Sequence, residues 1–290
     1  MSVGIGTTSD PVIHLSFSKG KAVEYQDISY GVGGAICRIA LNRPDVRNAQ
    51  GRRLLEELDN AMSRAEQDDA INVIVLAAEG EHFSSGHDLK ESQRDRPALT
   101  VEQRWNWEEE HYLNYCLRIW DLKKPTIAQV QGACVAAGFM LANMCDLIVA
   151  SEDAFFSDPV VHSLGAASVE VLVHPWALGA RKAKEMLYTG GRLTAEEALQ
   201  AGMVNKVVPR SELEEATMAL AERISKAPPF GVRLIKRSIN RVLDIQGFRN
   251  SIQAHFDTHQ LSHESETFRS AVRAGVSGSI RTGKASAAGA

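Results

Sequence analysis

The chain has 290 residues, of which 44% are hydrophobic and 23% charged, and its formal net charge is −4. This length accommodates one large domain or two small ones, and the apolar fraction is sufficient for a substantial core. The basic residues are scattered, with no Lys/Arg stripe interleaved with aromatic residues, which argues against nucleic-acid binding. The longest apolar stretch, residues 135–150, contains Asn143 and Asp146 and is too short to span a bilayer, so no membrane anchor is predicted.

Residues 1–11 lack the basic start and apolar block of a signal peptide, which predicts a flexible leader on a cytoplasmic protein. Residues 271–290 are rich in Gly, Ser and Ala, and this composition predicts a disordered tail. The cysteines show no C-x-x-C spacing and stand in apolar or helical contexts, which favours buried reduced thiols and predicts neither disulfides nor a metal site. They are Cys37, Cys116, Cys134 and Cys145.

Strand and helix patterns alternate along most of the chain. Short apolar runs predict strands, and apolar residues at helical spacing predict helices. The predicted strands are 13–16, 35–41, 73–78, 126–131 and 147–151, and the predicted helices are 51–67, 101–120 and 137–144. This alternation predicts an α/β fold in which helices pack against sheets. After Pro209 the chain predicts mainly helices to about residue 266, interrupted at Pro228 and Pro229.

Two glycine-containing turns follow two of the apolar strands. The first is Glu81-His82-Phe83-Ser84-Ser85-Gly86-His87-Asp88-Leu89-Lys90, and the second is Gln131-Gly132-Ala133-Cys134-Val135-Ala136-Ala137-Gly138. Each places small residues just before a predicted helix, where backbone N–H groups are free to bind an oxyanion. The alternative is that both are simply helix-packing turns.

Together with the segment Asn42-Arg43-Pro44-Asp45-Val46-Arg47-Asn48-Ala49, these turns resemble the crotonase family, the enoyl-CoA hydratase/isomerase superfamily of acyl-CoA enzymes. The resemblance covers roughly residues 12–265. It implies a spiral of ββα units over residues 12–209, followed by a C-terminal helical region over residues 210–270 that forms trimers or hexamers. It also implies a CoA thioester as substrate and no other cofactor.

In this family a thioester enolate is held by two backbone donors, and the resemblance assigns these donors to the N–H groups of Ser85 and Ala137. The second turn departs from the usual glycine run because Ala136 and Ala137 replace two of the glycines. Alanine is acceptable at negative φ, which is the conformation expected at a helix start. The oxyanion hole is therefore expected to survive the replacement.

The resemblance also implies that two segments cradle the adenine and pantetheine of CoA. These are Arg47, Asn48 and Ala49 in the first segment and His87, Asp88 and Leu89 in the second. Arg47 could meet a CoA phosphate or be a solvated side chain. Asp88 fits a helix cap better than a catalytic acid, and His87 could contact the ligand or lie at the surface.

The resemblance implies that this chain lacks the two glutamates that activate water and deliver a proton in familiar hydratases. Met140 and Val160 occupy those positions, and neither side chain can exchange a proton. Conventional hydration is therefore doubtful.

Three other residues are candidates for proton transfer. Glu170 is flanked by apolar residues, which indicates either a catalytic group or a buried structural carboxylate. Burial would raise its pKa, whereas a helix beginning near Ser168 would lower it. Asp158 and His162 are further candidates, with a turn residue and a core or loop histidine as their respective alternatives.

Two hypotheses follow. The first is an acyl-CoA enzyme of the enoyl-CoA hydratase/isomerase family, a lyase or isomerase catalysing hydration, double-bond isomerisation or C–C hydrolysis. The second is a non-catalytic acyl-CoA-binding homologue that keeps the pocket without an acid/base pair.

Overall fold

The structure, a computed structural model, describes residues 24–95 and 99–275. The predicted leader, the predicted strand at 13–16 and residues 276–290 of the predicted tail lie outside these ranges. The prediction of disorder is wrong for residues 271–274, which end a helix that spans Glu266–Ala274. The other predicted strands and the long predicted helices are present, with bounds that differ by a few residues.

Nine strands form two sheets in the described residues. They are β1 (Ile28–Gly33), β2 (Ile36–Leu41), β3 (Val73–Ala78), β4 (Thr126–Val130), β5 (Ala133–Val135), β6 (Leu147–Ser151), β7 (Phe155–Ser157), β8 (Leu193–Thr194) and β9 (Lys206–Val208). The larger sheet has the order β1-β2-β3-β4-β6-β9, and only β1 in it is antiparallel to its neighbour. The smaller sheet has the order β5-β7-β8.

Helices cover both faces of the larger sheet and extend beyond it. They are α1 (Arg52–Gln67), α2 (Leu89–Asp95), α3 (Val101–Glu108), α4 (Tyr115–Asp121), α5 (Ala137–Asn143), α6 (Val160–Ser163), α7 (His174–Thr189), α8 (Ala195–Gln200), α9 (Leu213–Ser225), α10 (Pro229–Ile245), α11 (Phe248–Ser262) and α12 (Glu266–Ala274). A π-helical turn, Glu109–Asn114, joins α3 to α4. Such turns frequently mark functional sites.

The central strands of the larger sheet are apolar on both faces, so the sheet is buried between two layers of helices. All six residues of β3 are buried, as expected for a parallel strand covered by helices on either side. One face packs under α9, where Val75 and Ile127 meet Leu213 and Met218. The other face contributes to the main core together with the apolar side of α1.

The C-terminal helices return over this core. Ile252 and Phe256 of α11 are buried, and the Phe256 ring meets the edge of Trp105 from α3 with centroids 5.1 Å apart. The end of α11 thereby lies against the end of α3, which brings together residues about 150 positions apart in sequence. Within the described ranges, every helix is too short or too polar to cross a bilayer.

The predicted helix start near Ser168 is wrong. Ser168 has φ of +65°, and α7 begins only at His174, with Pro175 in its first turn. Proline lacks a backbone N–H and has a fixed φ, so it is compatible with the start of a helix. The pKa of Glu170 is therefore not controlled by a helix beginning at Ser168.

Candidate active site

Parallel pairing brings the two glycine-containing turns into direct contact. The N–H of Ser84 donates to the carbonyl of Ala133, and the N–H of Val135 donates to the carbonyl of Ser84, each over 3.0 Å. Gly138 faces the first turn so closely that an added Cβ would lie 2.6 Å from the Ser84 oxygen. A side chain at position 138 would therefore push the turns apart.

Gly86 is the other point of close approach. It has φ of +92°, and an added Cβ would lie 3.3 Å from the Ala137 nitrogen. The backbone of Gly86 and His87 consequently runs beside the first N–H group of α5. Both a left-handed conformation and close packing favour glycine at position 86.

Ala136 immediately precedes α5 and has φ of +51° and ψ of −115°. The expectation of negative φ is wrong for this residue, although Ala137 itself begins the helix. Hydrogen bonding holds Ala136 in place, because its N–H donates to the Ser157 carbonyl over 2.8 Å. A non-glycine residue in such a sparsely populated conformation stores about 1–3 kcal/mol of strain.

The N–H of Ser85 is not available as an oxyanion donor in this structure. It donates to the carbonyl of Arg47 over 3.0 Å, because Arg47 and Asn48 both adopt left-handed conformations that bend their loop toward the first turn. By contrast, the N–H of His87 makes no hydrogen bond to any part of the chain that the structure describes. Ala137, as the first residue of α5, has no acceptor within its helix.

The Asn48 side chain has a structural role in the loop before α1. Its Oδ1 accepts from the N–H of Arg43, and its Nδ2 donates to the carbonyls of Glu79 and His82. Asn48 is fully buried and Ala49 is 8% exposed. Arg47, by contrast, is exposed to solvent. Of these three predicted CoA-contacting residues, only Arg47 presents a free polar side chain to solvent.

Asp88 caps α2, as the alternative interpretation of the sequence expected. Its Oδ1 accepts from the N–H of Glu91 over 3.1 Å, while its Oδ2 pairs with the Arg43 guanidinium over 3.0 Å. Leu89, the next residue, is half-buried at the first position of α2. The Asp88 carboxylate is thus fully engaged in holding the first turn against the loop before α1.

The His87 side chain points inward. Its Nε2 lies 2.9 Å from Glu170 Oε2, and its ring lies over Tyr112 of the π-helical turn with centroids 3.8 Å apart. Its Nδ1 is buried and has no hydrogen-bond partner among the described residues. The surface interpretation of His87 is therefore wrong, and His87 contributes both a free backbone N–H and a free ring nitrogen at the same place.

Glu170 is buried, with 3% of its surface exposed, and is not a lone carboxylate. Its second oxygen, Oε1, lies 3.5 Å from His259 Nε2. Burial alone would raise its pKa, but His87 and His259 together hold the pKa of Glu170 well below the ordinary value. Glu170 is therefore an ionised carboxylate that is hydrogen-bonded to His87 and lies within ion-pair distance of His259.

More ionisable groups adjoin His259 behind Glu170. Glu108 Oε2 lies 3.8 Å from His259 Nε2 and 3.8 Å from His263 Nδ1, and it accepts a 2.6 Å hydrogen bond from Gln260. Burial and the nearby Glu170 raise the pKa of Glu108 to about 7, and burial lowers the pKa of His263 to about 3. The sequence interpretation missed Glu108, His259 and His263, although the i, i+4 spacing of the two histidines was a visible signal.

Asp158 forms its own buried network. Its Oδ2 accepts a 2.6 Å hydrogen bond from Ser168 Oγ and lies 3.4 Å from His174 Nε2. Its Oδ1 accepts from the N–H of Val160 over 3.1 Å, an arrangement that closes the turn before α6. These contacts support the turn-residue alternative for Asp158.

His162 lies in α6 and is half-buried. Its Nε2 lies 2.9 Å from the carbonyl of Tyr188 near the end of α7, so the ring connects these two helices. This contact supports the loop-histidine alternative.

The two positions that the resemblance assigned to the glutamates carry apolar side chains. Met140 is buried in α5 and lines a small cavity of about 20 Å³ together with Cys116 and Tyr115. Val160 is half-buried at the start of α6. Among the ionisable groups near the two turns, His87 and Glu170 contact each other, whereas Asp59 and His111 line the same cavity as Met140.

The arrangement of parallel strands, the spiral of the chain and the C-terminal helices define an α/β fold of the crotonase type. The model of the enoyl-CoA hydratase/isomerase family matches residues 31–277. The chain belongs to this family.

Individual relatives agree with this assignment. The chain is 43% identical over 259 residues to EchA13, an enoyl-CoA hydratase homologue of Mycobacterium tuberculosis (strain ATCC 25618 / H37Rv), covering 83% of this chain and 81% of the relative. A solved enoyl-CoA hydratase homologue from Mycobacterium smegmatis has 50% identity and a TM-score of 0.77, covering 81% of this chain and 94% of that one. An enoyl-CoA hydratase/isomerase from Xanthobacter autotrophicus Py2 has 33% identity and a TM-score of 0.83, covering 90% and 98% respectively.

Proposed function

We propose that this protein is an acyl-CoA enzyme that stabilises a thioester enolate between the backbone N–H groups of His87 and Ala137. The observation that carries this proposal is the free N–H of His87, which lies beside the first N–H of α5. His87 thus replaces Ser85, the donor that the resemblance implied. Negative charge on the thioester oxygen develops in the transition state, and two fixed donors bind it more strongly there than in the ground state.

His87 is also the proposed proton-transfer residue. Its Nε2 faces the ionised Glu170 and therefore carries the proton, which leaves Nδ1 as a basic lone pair. Nδ1 belongs to the same residue as the oxyanion donor, so a thioester held at that N–H presents its α-carbon near the imidazole. Glu170 becomes a positioning residue that fixes the tautomer and stabilises the imidazolium, as the acid does in a catalytic triad.

The CoA moiety is proposed to run past the exposed Arg47, whose guanidinium can pair with a phosphate. The pantetheine arm is proposed to follow the backbone of residues 47–49 and 87–89. The reducing cytoplasm is the proposed compartment, because the four cysteines are all free and buried.

Self-association into trimers or hexamers is proposed through α10. This helix carries five strongly exposed apolar side chains, and soluble chains rarely leave such a row in water. They are Phe230, Ile235, Ile239, Val242 and Ile245.

Turnover of a panel of CoA thioesters tests the proposal against the non-catalytic alternative. The side chains of Met140 and Val160 have no ionisable group that could donate or accept a proton. Hydration of crotonyl-CoA is therefore expected to be slow compared with about 10 per second for a median enzyme. Another thioester in the panel should show isomerisation, C–C cleavage or exchange of α-protons with solvent. Binding of thioesters without any of these reactions would favour the non-catalytic binder and refute the enzyme.

A further inference from the structure

A second cluster of side chains lies behind Glu170, where the end of α11 meets the end of α3. Glu108, His259 and His263 each offer one donor atom, and these atoms lie within 4.8 Å of one another. We propose that these three residues form a binding site for a first-row divalent transition metal, with Zn²⁺ as the best-matched ion. This inference goes beyond the proposed function and does not depend on it.

The distances fit a site that closes by small movements. Zn²⁺ binds imidazole nitrogen and carboxylate oxygen at about 2.0–2.2 Å, so tetrahedral donors lie roughly 3.3–3.5 Å apart. The observed separations from Glu108 Oε2 to His259 Nε2 and His263 Nδ1 are both 3.8 Å. Because the histidines are four residues apart at the end of α11, their side chains lie on the same side of the helix.

The inward-facing histidine nitrogens make no hydrogen bonds among the described residues. His259 is 3% exposed; its Nε2 lies 3.5 Å from Glu170 Oε1 without hydrogen-bond geometry, and its Nδ1 makes no hydrogen bond within the described residues. Nδ1 of His263, which is 5% exposed, likewise makes none. Buried polar atoms are bonded in the great majority of cases, so three such nitrogens at one place require an explanation. A metal ion would satisfy the inward-facing lone pairs of both rings.

The surroundings resemble the outer shell of a metal site. Gln260 donates a 2.6 Å hydrogen bond to Glu108 Oε2 and fixes the carboxylate, as outer residues commonly do around metals. Glu170 lies 3.5 Å from His259 on the side of His87. The donor set of two imidazole nitrogens and one carboxylate oxygen, with no sulfur, selects Zn²⁺ and its first-row neighbours over Ca²⁺ and Mg²⁺.

Of the three residues, only His263 adjoins a surface hollow. His263 lines a hollow of about 560 Å³ between the start of α3 and α12, together with Thr100, Arg104 and Phe268. A metal ion bound at the cluster would join α11 to α3 directly beside the carboxylate that contacts His87. The site would therefore hold the C-terminal helices over the proposed active site.

Untagged protein, freed of metal by a chelator, should be equilibrated with Zn²⁺ and its bound metal measured by mass spectrometry. The expected result is one Zn²⁺ per chain and a rise in Tm of about 5 °C at saturating metal. Co²⁺ should give the visible absorption of a four- or five-coordinate ion with nitrogen and oxygen ligands. Glu108→Gln and His263→Gln should each weaken Zn²⁺ binding at least tenfold.

His162→Gln is the matched control, because it removes a half-buried histidine that contacts the Tyr188 carbonyl outside the cluster. This variant should bind Zn²⁺ like the wild type, whereas an equal loss would show that binding is adventitious. Wild-type protein that takes up no stoichiometric Zn²⁺ or Co²⁺ would overturn the proposal whether or not the variants fold. Metal binding is read without substrate, so its failure is distinguishable from failure of the proposed acyl-CoA activity.

Discussion

The pairing of His87 with Glu170 makes a quantitative prediction. The 2.9 Å contact joins a half-buried imidazole to a buried carboxylate whose pKa is held low, despite the opposing effect of burial, by His87 and His259. A positioned general acid or base contributes about 10²–10⁴-fold to rate. We therefore expect both His87→Gln and Glu170→Gln to reduce turnover of the best thioester by at least about 100-fold, with the N–H of residue 87 retained in both.

The double variant distinguishes a shared role from two separate ones. If Glu170 acts through His87, Glu170→Gln should have little further effect on turnover once His87 has been replaced by Gln. For single variants that each lose 100-fold in turnover, the coupling energy between the two residues would be about 2.7 kcal/mol. The assay is steady-state turnover per folded molecule, with folding checked by circular dichroism. Additive losses in the double variant would refute the idea that Glu170 positions His87.

Asp158→Asn provides the matched control for this cycle. Asp158 is as buried as Glu170 but contacts Ser168 and His174 instead of His87. Its replacement should lower Tm while leaving turnover per folded molecule nearly unchanged. A Glu170→Gln protein that behaves in this same way, destabilised but fully active, would remove Glu170 from the catalytic site.

Three further predictions concern stability and assembly. Ala136→Gly should raise the free energy of unfolding by about 1 kcal/mol in urea titration, because glycine relieves the strain at φ of +51°; an unchanged or lower value would contradict this strain. Burial lowers the pKa of His174 to about 4 from an unfolded value near 6.5, so about 3 kcal/mol of stability should be present above pH 6.5 and lost as pH falls toward 4. His174→Gln should flatten this part of the stability–pH curve, and a curve that stays as steep would exclude His174 as its source. Ile239→Glu on α10 should shift an oligomer toward monomer in light scattering, whereas an unchanged mass would place the interface elsewhere.

The sequence predicted those parts of the fold that depend on local patterns. The fully apolar run of β3 and the helical spacing of Leu54, Leu55 and Leu58 in α1 require no tertiary information, and both elements are present. The helix expected near Ser168 failed because the start of α7 depends on Pro175 and on the packing of His174 against Phe139. Packing of this kind is not visible in a local pattern.

The site was less predictable because its geometry depends on long-range contacts. Ser85 and His87 lie in the same turn. The N–H of Ser85 is bonded to the Arg47 carbonyl, which the left-handed conformations of Arg47 and Asn48 bring close, and the N–H of His87 is left free. Similarly, Glu108 meets His259 only because α11 folds back onto α3. The buried carboxylate Glu170 was predicted as unusual, but its partners could not be identified from its neighbours in sequence.

Exchange of α-protons tests the enolate most directly. A saturated acyl-CoA incubated with the protein in D₂O should lose its α-proton signals in the NMR spectrum at a catalysed rate. Ala137→Pro removes one donor at the first position of α5, so exchange per folded molecule should slow by about 10²–10³-fold. Folding is checked by circular dichroism, because Ala136 before the proline has φ of +51°. A correctly folded Ala137→Pro variant that exchanges α-protons as fast as the wild type would contradict the proposed oxyanion hole.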